Sequence, residues 1–304
     1  MLRRMQISQG KLIEAGEEGQ VLVYIAPDEA EKHYLVDTLK IDEHTLHSAL
    51  DPDELSRLEF EPEHVAIIFK RPKNYSSEDE FLFKVASTGL FLFKDKLVII
   101  LAEEAPLFEG RQFSRVLSLN DVALKLLYRS IYHFIEHLKV INAVSAALEQ
   151  QISTSMANTY LLNLFTLEKS LVYYLNAINT NAKVIGRLRN NASKVGFSIE
   201  SQEFLDDMII ENAQCYEQAE IYSNILASMM DARASIVANN LNVLMKTLNI
   251  IMIGLMLPTL VVSIFSMNLT LPFEHDNPVG FWLVVILAML SAVFVGFIWW
   301  YKKL

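Results

Sequence analysis

Residues 242–268 read NVLMKTLNIIMIGLMLPTLVVSIFSMN, and this stretch decides how the chain is organised. After Lys246 no charged residue occurs until Glu274, a run of 27 positions. A second run of 25 separates Asp276 from Lys302. A helix needs about 20 apolar residues to cross the hydrocarbon core of a bilayer. Both runs are long enough, and side by side at one end of the chain they predict two membrane spans.

The first run is not uniformly apolar. Steps of three and four from Asn242 reach Met245, Asn249, Met252, Met256, Thr259, Ser263 and Ser266, while the intervening positions are mostly Leu, Ile and Val. At helical spacing these residues share one face. Polar groups at bilayer depth are costly unless they meet protein or water. The stripe therefore predicts either a wet path lined by several copies of the helix or polar contacts between packed helices. One helix cannot enclose a path, so the first reading needs a ring of subunits.

Working back from the stripe, neither Gly nor Pro occurs between Gly196 and Gly254. A helix running from about Ser201 into the membrane is the expectation. Fifty residues span about 75 Å, too long to bury in one small domain, so this helix is expected to pack against others in coiled-coil fashion, including copies of itself. Before it, a helix from about Asn120 or Asp121 to Ile152 and another from about Thr154 to Leu188 are expected, with Asn190, Asn191 and Gly196 marking a turn. Residues 1 to about 115 read as mixed α/β. Runs at 21–25, 65–69, 81–85, 90–93 and 97–101 carry strand composition, with Lys94-Asp95-Lys96 as a hairpin tip. The segment from Asp28 to Glu59 is helical in pattern, broken at Pro52.

The fold class expected is an α+β cytosolic domain with helices on a mixed sheet, a very long stalk and pore helix, and two C-terminal transmembrane helices. The expected boundaries are 1–118 for the α/β domain and 119–246 for the helical stalk. Residues 247–268 form the first span, 269–280 an external loop, 281–301 the second span and 302–304 a tail.

Charge supports this division. Three of the 26 basic residues (Lys246, Lys302 and Lys303) and two of the 36 acidic ones (Glu274 and Asp276) lie beyond position 245. Residues 1–245 thus hold 23 basic and 34 acidic side chains, a net of −11. That excludes a basic nucleic-acid surface and favours cations as partners. Trp299, Trp300 and Tyr301 followed by two lysines read as an interfacial belt and anchor. The inter-span loop carries Glu274 and Asp276 without Lys or Arg, so both termini are expected in the cytosol and the loop outside. The first ten residues lack the apolar core of a signal peptide. A single cysteine, Cys215, permits no intrachain disulfide and is expected to be a packed helix residue.

The segments Met245-Lys-Thr-Leu-Asn-Ile-Ile, Leu257-Pro258-Thr259 and Phe265-Ser266-Met267-Asn268 resemble the first membrane helix of the CorA magnesium transporter family. Leu164-Phe-Thr-Leu-Glu-Lys-Ser-Leu-Val-Tyr173 resembles that family's preceding helix. The resemblance covers about residues 120–304 and implies a homopentameric channel in the inner (plasma) membrane. The cargo implied is magnesium, with cobalt or nickel as further ions, moving inward down its electrochemical gradient. It places Asn268, with Met267 and Ser266, at the outer mouth. Magnesium gives up water reluctantly, so amide oxygens facing the hydrated ion suit a first filter. Asn242 resembles the inner pore asparagine, and Met245 and Leu248 a hydrophobic constriction, with Asn249, Met256 and Thr259 along the path between. Ser266 stands where the family has glycine. Gating by intracellular magnesium is implied at Asp207, whose partner position is Ser48, with Asp51 and Asp53 nearby. No cofactor is expected beyond the ion itself. A zinc, cobalt or nickel transporter of the same superfamily and a non-conducting, membrane-anchored oligomeric scaffold are the alternatives.

His133-Phe-Ile-Glu136-His137 spells an inverted zinc-protease string. With no evident third ligand, helix-surface histidines are expected, as for His44 and His47. No phosphate-binding glycine loop or nucleophile elbow is present, and the chain is not read as an enzyme.

Overall fold

The computed structural model describes residues 1–16, 19–75, 81–154, 159–267 and 278–302. They fall into two compact units, Met1–Met230 and Asp231–Leu304. The first is built on a seven-stranded sheet in the order β2-β1-β3-β7-β6-β5-β4. Its strands are β1 (Leu2–Ser8), β2 (Lys11–Glu14), β3 (Val21–Ile25), β4 (Arg57–Phe60), β5 (His64–Pro72), β6 (Val85–Phe93) and β7 (Leu97–Leu101). All neighbours are antiparallel except β3 and β7, which pair in parallel with Val23 opposite Ile99.

β7 shows why both faces are covered. Its five residues are all apolar and all buried. Successive side chains point to opposite faces, and each face has its own core. Leu97, Ile99 and Leu101 join one core, while Val98 and Ile100 join the other. The second core is closed by α1 (Glu29–His33), the π turn that follows it, and α2 (Glu43–Leu50), through Leu35, Leu39, Ile41, Leu46 and Ala49. The first is closed by α3 (Leu119–Thr154), α4 (Thr159–Asn190) and the N-terminal part of α6 (Ile199–Phe265), through residues such as Phe134, Leu138, Leu171, Tyr174 and Leu205. A short α5 (Ala192–Val195) turns the chain between them, ending at Gly196 with φ +81°. Glycine adopts this left-handed angle without the Cβ clash.

The mixed sheet with helices packed on it and the hairpin at residues 94–96 match expectation, with the Phe93 amide donating to the Lys96 carbonyl at 2.9 Å. Four details differ. β1, β2 and β4 carry no clear alternation and were not expected; β4 lies inside the segment read as helical, where Asp28 and Asp42 cap two short helices instead. Residues 81–84 are not a strand, because Phe81 has φ +68° and the Phe83 amide donates to Ser170 Oγ on α4 rather than to a neighbouring strand. α3 is capped by Ser118, whose Oγ accepts from the Asp121 amide at 3.2 Å, not by Asn120 or Asp121. α6 begins at Ile199 and continues for 67 residues, about 100 Å at 1.5 Å per residue.

Candidate ion pathway and cytosolic acidic residues

In the second unit, the apolar part of α6 and α7 (Pro278–Lys302) are both long and apolar enough to cross a membrane. Neither apolar stretch is buried against the rest of the chain. Side chains such as Leu255 and Met256, more than 60% exposed, would be costly in water. A bilayer or further copies of the helix relieves that cost.

At 100° per residue, Asn242, Met245, Leu248, Asn249, Met252, Met256, Thr259 and Ser263 fall within about 120° of the α6 circumference. Every one of them is exposed. The hydroxyl of Thr259 donates to the Leu255 carbonyl at 2.7 Å, and that of Ser266 to the Ser263 carbonyl at 2.9 Å. Such back-bonding occupies the hydroxyl hydrogen and leaves the oxygen lone pairs to accept from water or meet a cation. α6 ends at Phe265, and the Ser266 amide closes the last turn onto the Val262 and Ser263 carbonyls. The last turn of α6 carries the partial negative charge of a helix C-terminus, which suits a cation. Asn268, Glu274 and Asp276 lie outside the described residues, while Met267 is described and exposed.

In the first unit, Asp207 is exposed on α6 and makes no hydrogen bond or ion pair among the described residues. Its neighbour Asp206 is held by Arg189 through Nε and Nη2 at 2.7 and 2.9 Å. That guanidinium lowers the Asp206 carboxyl below its ordinary range. Asp51 ends α2, and its Oδ1 accepts from the Asp53 amide at 2.8 Å. Ser48 is buried and accepts from Arg57 Nη2 at 2.7 Å. α2 joins the core on one face of the sheet, and the N-terminal part of α6 joins the core on the other; among the described residues no contact links Asp207 to Asp51 or Asp53. Among the described residues no cluster of three or more His, Cys, Asp or Glu is placed to hold a metal.

Sequence reasoning missed the buried polar residues that hold the acidic loop. Lys70 is 4% exposed, and its Nζ donates to Ser87 Oγ at 2.6 Å and to the Pro52 carbonyl at 2.8 Å. Burial pushes its amine down to about 8 against the pull of Asp51, Asp53 and Glu54. A lysine within a strand has no sequence signal that marks it as buried.

The histidine string is also corrected. His137 is buried, and its Nδ1 lies 2.6 Å from the Tyr174 hydroxyl. His133 packs edge-on against it at 4.4 Å between ring centroids. Burial pushes them down to about 4 and about 3. Glu136 pairs with Arg129 at 2.9 Å. His137 is a packed ring of the core and His133 is half-buried beside it; neither is a surface histidine. His44 and His47 are exposed as expected. Cys215 is buried, and burial pushes its thiol up to about 12.

With the stripe and the long helix in place, comparison with known proteins is decisive. A family model described as CorA-like Mg2+ transporter protein matches residues 21–303. The chain belongs to the CorA-like transporter family. It is 23% identical over 314 residues to the cobalt/magnesium transport protein CorA of Methanocaldococcus jannaschii, covering 98% of this chain and 95% of that one. The complete structure of CorA magnesium transporter from that organism superposes with a TM-score of 0.82 at 20% identity, over 98% of this chain and 96% of the other. The full-length CmaX protein gives a TM-score of 0.75 at 16% identity, over 100% and 97%. At these identities the structural likenesses establish the shared fold. Together with the two spans, family membership makes this CorA-like chain a membrane protein.

Proposed function

We propose that this chain is a divalent cation channel that carries magnesium into the cytosol, down its electrochemical gradient, as a homopentamer. The observation that supports it is the exposed stripe of Asn, Met, Thr and Ser on α6 of a CorA-like chain. A polar stripe on an otherwise apolar span needs a wet environment, and several copies of α6 would supply it. In this reading Asn268, Met267 and Ser266 form the outer mouth. Asn242, Asn249, Met256 and Thr259 line the path, and Met245 and Leu248 form a constriction that gates by dewetting. Glu274 and Asp276 concentrate cations at the entrance.

Both termini lie on the cytosolic side of the inner membrane. Intracellular magnesium closes the channel by bridging Asp207 of one subunit to acidic groups near Asp51 and Asp53 of the next. The opposite-face placement of α2 and α6 supports a site between copies over one within a chain.

The test is divalent-ion uptake into liposomes holding the purified chain, wild type beside Asn268→Ala. Magnesium entry that is lost in the variant is the expected result. Zinc entry with little magnesium would reassign the cargo. No uptake by folded, oligomeric protein would leave a scaffold.

A further inference from the structure

Arg71 stands at the end of β5, 6% exposed, with one edge of its guanidinium unsatisfied. Nη1 donates to the Pro72 carbonyl at 3.2 Å. Among the described residues the buried Nε and Nη2 have no hydrogen-bond partner. These two nitrogens carry parallel N–H bonds, the fork that matches both oxygens of a carboxylate. The Glu103 carboxylate stands 3.8 Å from Nη2, too far for a hydrogen bond, and is engaged by Lys73 Nζ at 2.9 Å. A buried cation with two idle donors is costly and calls for an acceptor.

Two cavities meet at Arg71 and Asn74. The larger, about 300 Å³, also takes in Lys73, Lys84 and Glu103. The smaller, about 30 Å³, is walled by Phe69, Pro106, Leu107 and Leu126, and Arg129 and His133 complete it. Among the described residues no carboxylate lines this smaller cleft. His133 is neutral there, held down by burial, then by His137 and by the positive charges of Arg129 and Arg71. The cleft thus joins positive potential to apolar walls.

We propose that Arg71 heads a binding site for a short-chain carboxylate. The two oxygens take Nε and Nη2, and the hydrocarbon end enters the apolar cleft between β5 and α3. The apolar walls select a carboxylate bearing a methyl or methylene over a fully hydrated phosphate. Glu103 competes for the same guanidinium edge and lowers the affinity for the external ligand.

The full chain in detergent tests this by calorimetry and thermal unfolding, with sodium acetate, sodium chloride and orthophosphate at equal ionic strength. Acetate is expected to bind saturably and raise the unfolding midpoint, while chloride does not. Arg71→Gln is expected to weaken acetate binding by about tenfold, the scale of one lost charged hydrogen-bonding group. Glu103→Gln frees the edge and is expected to tighten it. The site is overturned by identical effects of acetate and chloride, by saturation with phosphate but not acetate, by wild-type affinity in Arg71→Gln, or by no tightening in Glu103→Gln. Should Arg71→Gln fail to fold, the less buried Arg129→Gln replaces it. A weakening of about threefold, the scale of a partly exposed charge, supports the site, and unchanged affinity overturns it.

Discussion

The side-chain amide of Asn181 on α4 bonds the backbone of Lys70 at both ends. Its Oδ1 accepts from the Lys70 amide at 2.8 Å, and its Nδ2 donates to the Lys70 carbonyl at 2.8 Å. β4 pairs with β5 only between Val65 and Ile68 on that side, Arg57 lying opposite Ile68. Beyond it the edge of β5 is open, and Asn181 takes the place of a strand. Buried backbone groups left unpaired cost free energy, so a helix side chain here completes the sheet.

Asn181→Leu removes both bonds, along with the one its Oδ1 accepts from Ser56 Oγ at 2.8 Å, and buries the two Lys70 backbone groups without partners. The expected loss is about 2–4 kcal/mol, the desolvation cost of two orphaned groups. Denaturant unfolding of the full chain in detergent measures it, and hydrogen exchange at the Lys70 amide should rise. Wild-type stability would mean that water replaces Asn181 at no cost.

Gly89 on β6 faces α2 at close range. A Cβ placed there would lie 2.6 Å from Ala49 Cβ and 3.0 Å from the Phe91 ring. Gly89→Ala is therefore expected to destabilise the first unit by about 1–3 kcal/mol through overpacking. Adding Ala49→Gly should restore part of the loss, because it removes the atom that clashes. No rescue in the double variant would assign the cost to backbone rather than contact.

His137 is buried and His133 half-buried, and desolvation holds both neutral, with folded values of about 4 and about 3. The unfolded chain binds protons near its ordinary value of about 6.5, so between 4 and 6.5 it holds more protons than the folded one. Stability is then complete above pH 6.5 and falls as pH drops toward 4. Replacing both with Gln should flatten the stability profile between pH 5 and 6.5 relative to wild type. Parallel profiles would show that neither ring is protonated on unfolding.

On α6, Asn249 belongs to the polar stripe and Ile251 to the opposite face. Asn249→Leu is expected to cut divalent-ion flux by about tenfold, if one hydrogen bond to the hydrated ion near 1.4 kcal/mol is lost from the barrier. Ile251→Leu should leave flux unchanged. Liposome uptake with both variants at matched incorporation separates them; equal effects would sink the lining assignment.

Asp207 has no ion-pair partner among the described residues, so its carboxylate is available to a cation. Asp207→Ala is expected to leave conduction intact and to raise the internal magnesium concentration needed for closure. Recordings across a range of internal magnesium test this. An unaltered response would remove Asp207 from the gate.

Much of the architecture was legible because it is periodic. β7 and the central part of β5 announce themselves as apolar runs, α4 through apolar residues at helical spacing, of which Leu164, Leu171 and Ile178 are buried and Phe165 is exposed, and α6 through the absence of Gly and Pro before Gly254. The edge strands β2 and β4, and β1 beside β2, were not legible, because half-exposed strands at the margins of the sheet carry no clean alternation. The 81–85 segment looked like a strand by composition, yet tertiary bonding to Ser170 overrode propensity. Of the candidate site, the stripe was visible as spacing on one helix. The embedded Lys70 and Arg71 were not, because charged residues are seldom buried and nothing local marks the exceptions.

The sequence by itself determined the two spans, the polar face of the first, the length of α6 and the acidic charge of the remainder. Each is a property of residues near one another along the chain, where helix period and transfer free energy act directly. Only the tertiary structure decided that Asn181 would complete β5 from 111 residues away, that His137 would meet Tyr174 inside the core, and that Arg71 would be buried with an idle edge. Those facts depend on which surfaces the packed layers bring together, and burial is what turns an ordinary polar side chain into one that must find a partner.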